Sequence, residues 1–124
     1  MGIKKMVGLG VGALVVVGIL AVIVFGGAPA YASDASPVLY FYQDACHFCQ
    51  QQKPILEELA KEGFRVKMMD VRANPGFWNS FKITGTPTFL VKNGQRLNGL
   101  QDKLTLRAFL ESNGAKIAPV QNKS

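Results

Sequence analysis

Cysteine occurs only twice in these 124 residues, and histidine and tryptophan once each. So few soft ligands exclude a structural zinc site closed within one chain, because such a site takes about four. Two cysteines and a histidine reach that number only by pairing two chains. The covalent haem motif C-x-x-C-H is excluded as well, since Gln50 follows Cys49. Acidic residues are scarce, 8 against 14 Lys+Arg. The basic excess is nevertheless scattered, without a basic run or interleaved aromatics, so nucleic-acid binding is not expected. Internal repeats and a second linker are missing too, and the length allows one small domain at most.

Charge is absent altogether from Met6 to Phe25, "MVGLGVGALVVVGILAVIVF", which follows Lys4 and Lys5 and precedes "GGAPAYAS". A basic start, an apolar middle and Ala30-Tyr31-Ala32 before Ser33 have the form of an export signal with an A-x-A cleavage site. The apolar run is longer than the ~7–15 residues of a signal core and matches the ~20 that span a bilayer. Residues 1–32 are therefore a signal peptide or a signal anchor, with the Ala-Tyr-Ala site favouring cleavage. Either way the lysines stay in the cytoplasm and Ser33 onward lies outside. A linker is expected at 33–36, a folded domain at 37–114 and a flexible tail at 115–124.

Within the exported part, Val38 to Tyr42 is an apolar and aromatic run that predicts a buried strand. From His47 to Glu62, Phe48, Ile55, Leu56, Leu59 and Ala60 suit the inner face of a helix that Gly63 stops and Pro54 should kink. Phe64–Val71 predicts a second strand, with Met68 and Met69 in the core. Asn74 as cap and Pro75 in the first turn predict a short helix to about Lys82, with Phe77 and Trp78 as core or rim. Thr88–Val91 predicts a third strand, Asn93-Gly94 a hairpin turn, and "QRLNG" a fourth strand. Asp102 should cap a last helix, Lys103 to Asn113, with Leu104, Leu106, Phe109 and Leu110 inward.

The two cysteines, Cys46 and Cys49, enclose only His47 and Phe48, at the junction of the first strand and helix. Unpaired backbone N–H groups and the helix dipole favour negative charge there. The thiolate is the reactive form of cysteine, so Cys46 is a candidate nucleophile. Cys49, one turn further in and more buried, is the candidate resolving thiol. His47 can add positive charge beside Cys46, with Phe48 completing the tuning of the pair. A metal site shared between two chains and an inert structural disulfide are the competing readings. A two-residue loop constrains the unfolded chain little, which weakens the second.

Together these residues resemble the thioredoxin-like superfamily. Pro54 stands five residues after Cys49, "NPG" at 74–76 precedes Pro87 at the family's spacing, and "GTPTFLVKNG" and "RAFLESN" are similar to its later segments. The resemblance covers roughly Pro37 to Asn113. Among its branches, "GTP" with "NGQRLNGLQ" is most similar to the catalytic domain of bacterial periplasmic disulfide isomerases of the Dsb type. It implies an α/β fold of minimal thioredoxin-like form, about four strands in a mixed sheet flanked by helices, after the N-terminal hydrophobic helix. It further implies a cis Thr86-Pro87 bond beside the cysteines. Thr86 and Pro87 would be a platform on which an extended substrate pairs, with Gly99 keeping the groove floor low.

Departures from the family accompany the likeness. Tyr40 stands where a buried acid would handle the resolving thiol's proton, and Ala45 replaces a tryptophan. The implied function is an extracytoplasmic thiol–disulfide oxidoreductase acting on cysteine-containing proteins and recharged by a redox partner protein. It would need no cofactor beyond the Cys46–Cys49 disulfide and no metal. A monomer is expected, with membrane association through residues 6–25. The alternatives are a non-catalytic binding module at the membrane, and a specialised cytochrome-maturation or glutaredoxin-like reductase. Direction of electron flow is not written in these residues, because it turns on tens of millivolts.

Overall fold

The computed structural model describes residues 27–118. The apolar run 6–25, with its expected helix, lies outside them. Among the described residues no helix is long and apolar enough to cross a membrane. Seven elements follow in chain order: β1 (Val38–Tyr42), α1 (His47–Lys61), β2 (Lys67–Asp70), α2 (Gly76–Ser80), β3 (Thr88–Val91), β4 (Arg96–Asn98) and α3 (Lys103–Ser112). The sheet order is β2-β1-β3-β4. β1 and β2 run parallel and the other pairs antiparallel. A parallel pair needs a long crossover, and α1 supplies it.

Strand alternation sorts the core into two layers. Val38 and Tyr40 of β1 join Phe89 and Val91 of β3 on one face, packed against Leu56 and Leu59 of α1 and Leu106 and Leu110 of α3. The rings of Tyr40 and Phe89 stack there, 4.8 Å apart. Phe41 and Leu90 point to the other face, with Val71 and Ile83, and Phe77, Trp78 and Phe81 of the α2 region close over them. Fully burying one such side chain stabilises the fold by ~1.5–3 kcal/mol. β3 is buried at all four positions, as befits a central strand covered on both faces.

Several expectations need correction. The second strand is Lys67–Asp70 rather than Phe64–Val71; Val66 and Phe64 make single bridges, to Ala32 and Lys116. β2 is a sheet edge, so Met68 and Met69 are half-buried, one against each layer. The short helix spans Gly76–Ser80 and starts from Pro75, with no side-chain cap from Asn74. The loop before it is held by Asp70, whose carboxylate accepts the N–H groups of Arg72 and Ala73. Leu104 is 76% exposed, because Leu106 and Leu110 already define the inner stripe of α3. Asp102 does cap that helix, accepting from the Thr105 N–H at 2.8 Å.

The packed unit also reaches past both ends of segment 37–114. Tyr31 is 3% exposed and sits in the main core, and its carbonyl accepts the Val66 N–H at 2.7 Å. Ser33 donates its N–H to the Val66 carbonyl at 2.9 Å. Ala115 is fully buried at the other end, so the first residues after α3 belong to the fold rather than to a loose tail. Ser36 stitches these parts together. Its hydroxyl donates to the Arg65 carbonyl at 2.7 Å and accepts the buried Val38 N–H at 3.1 Å. Ser36→Ala strands both groups, so chemical denaturation should show a loss of ~1–3 kcal/mol; an unchanged midpoint would mean that water replaces the hydroxyl.

Candidate redox centre

Cys46 is the N-cap residue of α1, with extended backbone angles, and its sulfur accepts the N–H of Cys49 at 3.1 Å. The two residues form a disulfide with Cα atoms 5.1 Å apart. They differ sharply in access. Cys46 is half-buried at the surface, whereas Cys49 is 1% exposed. The first turn of α1 carries no acidic residue, so nothing there offsets the partial positive charge of the helix end.

The expected platform lies against this pair. The Thr86-Pro87 peptide is cis, and Cys46 Sγ is 3.3 Å from the Thr86 carbonyl oxygen. Gln43 Nε2 reaches the Thr86 hydroxyl at 3.5 Å. Gly99 donates its N–H to the Pro87 carbonyl at 2.7 Å and holds a left-handed backbone, φ +85°. A Cβ at Gly99 would meet nothing within 4 Å, so the surface beside Pro87 is open.

His47 is exposed at the first position of α1 and lies 3.2 Å from the side-chain amide of Gln51. Phe48 is 53% exposed, not part of the inner helical face. Position 48 points away from the sheet because Cys49 and Gln52 take the inward positions of that turn. Gln50 donates to the Asp44 carbonyl and secures the loop before the helix.

Beneath Cys49 lies a cavity of about 280 Å³, lined among others by Tyr31, Tyr40, Tyr42, Lys53 and Glu57. Burial pushes the phenols of all three tyrosines up, with neighbouring charge adding to the effect. Three neutral phenols therefore share the lining of this cavity with Cys49. Lys53 is half-buried against this cavity. Among the described residues no cluster of His, Cys, Asp and Glu is arranged to hold a metal. A larger cavity, about 600 Å³, opens on the other face of the sheet around Leu39, Phe81 and Leu90, and none of the site residues lines it.

Gln52, behind the redox pair on the inner face of α1, is a buried polar residue that local pattern does not single out. It is fully buried, and its amide makes two hydrogen bonds to the backbone of Gln101. A glutamine in line with Cys49, Leu56 and Leu59 on an otherwise apolar face was the available signal.

Comparison with known proteins agrees with this geometry. The thioredoxin family model matches residues 30–112. A thioredoxin of Acidithiobacillus ferridurans is 35% identical over 87 residues, covering 64% of this chain and 81% of that protein. Another from Buchnera aphidicola is 32% identical over 80 residues, covering 59% and 74%. A protein described as "Disulfide bond formation protein", from Brevibacillus choshinensis, is 28% identical over 101 residues, covering 75% and 86%. Among solved structures, a thioredoxin variant from Halobacterium salinarum superposes with a TM-score of 0.57 at 24% identity, covering 75% of this chain and 98% of that one. The chain belongs to the thioredoxin family, and with Cys46 and Cys49 paired at C-x-x-C spacing it is a disulfide oxidoreductase.

Proposed function

We propose that the chain exchanges disulfides with cysteine-containing proteins outside the cytoplasm, with Cys46 as the attacking sulfur and Cys49 as the resolving one. The observation that carries this is the asymmetry of the pair. One sulfur caps a helix N-terminus at the surface and the other is sealed beneath it. The helix end and the Cys49 N–H favour a thiolate at Cys46.

In the reducing direction, the Cys46 thiolate attacks one sulfur of a substrate disulfide. That S–S bond breaks, and the second substrate sulfur leaves with the electron pair and takes up a proton. Cys49, losing its proton, then attacks Cys46 Sγ, and the first substrate sulfur leaves. The substrate gains two electrons and two protons, and Cys46–Cys49 becomes the disulfide. In the oxidising direction a substrate thiolate attacks Cys46 Sγ, Cys49 departs as thiolate, and a second substrate thiol completes the new disulfide. Thr86, cis-Pro87 and Gly99 form the open edge along which the substrate backbone lies. A redox partner protein restores the starting state.

Retention of residues 6–25 as a membrane anchor fits this reading better than cleavage after Ala32. What supports it is Tyr31, which a cut at that site would remove from the core together with the hydrogen bond from Val66. The fractionation of an epitope-tagged full-length chain tests this. Recovery with membranes at full mass is expected, and a soluble form beginning at Ser33 would refute it.

The equilibrium reduction potential of the full-length chain in detergent, measured against glutathione, tests direction and tuning together. A value near −270 mV marks a reductase and one near −120 mV an oxidant. His47→Pro is compatible with the first helical position. It removes a potential positive charge beside Cys46 and should lower the value by about 30 mV or more, where 30 mV equals ~1.4 kcal/mol. An unchanged potential would take His47 out of the site.

A further inference from the structure

We propose that Gln52 is a positioning residue that holds the Asn98–Gln101 loop, and through it the Pro87 edge, at a set distance from Cys46. The proposal deepens the reading of Thr86, Pro87 and Gly99 as the substrate platform and rests on it. Its ground is a closed ring of polar contacts. Gln52 Nε2 donates to the Gln101 carbonyl at 3.0 Å, and Gln52 Oε1 accepts the Gln101 N–H at 2.8 Å. Gln101 Nε2 in turn donates to the carbonyls of Asn98 and Gly99, at 3.1 and 3.0 Å. Gly99 donates to the Pro87 carbonyl at 2.7 Å. The preceding carbonyl, that of Thr86, lies 3.3 Å from Cys46 Sγ, and Cys46 caps the helix that carries Gln52.

Stability alone does not call for an amide at this position. A buried polar group costs free energy unless it is hydrogen-bonded. A paired one returns only a modest net gain per bond, comparable with what an apolar side chain contributes by filling the same space. An apolar residue cannot, however, grip a backbone. The amide pairs with both polar groups of Gln101, which fixes the loop in two directions relative to α1. The loop also displays Leu100, 39% exposed. Gln52 therefore sets where an exposed apolar contact and the Pro87 edge stand relative to the reactive sulfur. A protein substrate that spans both senses that spacing, whereas a small dithiol that touches only sulfur does not.

The test compares exchange of the full-length chain with a disulfide-containing protein, such as intact insulin with its interchain disulfides, and with dithiothreitol. Gln52→Met preserves bulk and removes both hydrogen bonds. KM for the protein substrate should rise about tenfold, the equivalent of ~1.4 kcal/mol, with kcat and the dithiothreitol rate within about twofold. Gln52→Glu regains the acceptor at once and the donor when protonated, so its KM should fall toward the parent value as pH is lowered. Gln52→Met should show no such trend. Gln101→Ala, at a half-buried position outside the hydrophobic core, does not empty that core and should raise the same KM more modestly if Gln52→Met fails to fold. Equal loss with protein and dithiothreitol, or an unchanged KM in both Gln52→Met and Gln101→Ala, overturns the proposal. Gly99→Asn separates it from its premise, since asparagine tolerates a left-handed backbone and adds bulk to the open edge. No KM change in Gly99→Asn would refute the platform itself. A change there with none in the Gln52 variants would refute Gln52 alone.

Discussion

Cys46→Ser should reduce disulfide exchange to the uncatalysed background, a loss on the order of 10³-fold or more. A serine hydroxyl at the same helix end stays protonated at neutral pH and cannot form a mixed disulfide. Cys49→Ser should behave differently. It leaves Cys46 able to attack but removes the sulfur that frees the substrate, so a covalent adduct accumulates. Mass spectrometry under non-reducing conditions should show that adduct in Cys49→Ser, released by dithiothreitol, and none in Cys46→Ser. Adducts forming equally through either cysteine would contradict the assigned roles. The contrast follows from exposure, because Cys49 is sealed at 1% and Cys46 is open to a partner.

Phe89→Ala should be the most damaging substitution in the core. Phe89 is fully buried at the middle of the central strand and stacks on Tyr40. Truncating a buried phenylalanine costs ~3–5 kcal/mol, a large part of the ~5–15 kcal/mol that holds a domain together. In urea, where m is ~1–3 kcal/mol/M for a small protein, the midpoint should fall by about 2 M. Phe48→Ala is the matching control. With 53% of the residue exposed, its loss should stay within ~0.5 kcal/mol. A similar effect at both positions would mean that the layer around Tyr40 and Phe89 is not the core.

The elements that could be read from local pattern were those whose signals agree at every level. β1 and β3 are continuous apolar runs, α1 begins at the cysteine motif and stops just before Gly63, and Asp102 caps α3. The central pair of cysteines was legible because C-x-x-C at a strand–helix junction has few uses, and cis-Pro87 because the family resemblance carries it. The failures are tertiary. Phe64–Val71 is apolar enough for a longer strand, but at a sheet edge only four residues find a ladder partner. Phe48 and Leu104 each have apolar neighbours at helical spacing. Which residue of a turn faces the sheet depends on the phase of the helix, and composition does not set that phase. Gln52 has its partner 49 residues away, so its role appears only once the chain has folded. The same holds for Ser36, whose hydroxyl joins segments 29 residues apart.

The incorporation of Tyr31 and Ala32 into the fold also sets a leash. From Phe25, where the apolar run ends, to Tyr31 there are only a few residues, and an extended chain advances at most ~3.3–3.6 Å per residue. If the run stays in a bilayer, the catalytic body hovers within about 20 Å of the lipid. Cysteines presented close to the membrane plane, such as those of other anchored proteins, would then be met most often, while freely diffusing substrates would have to come to a tethered domain.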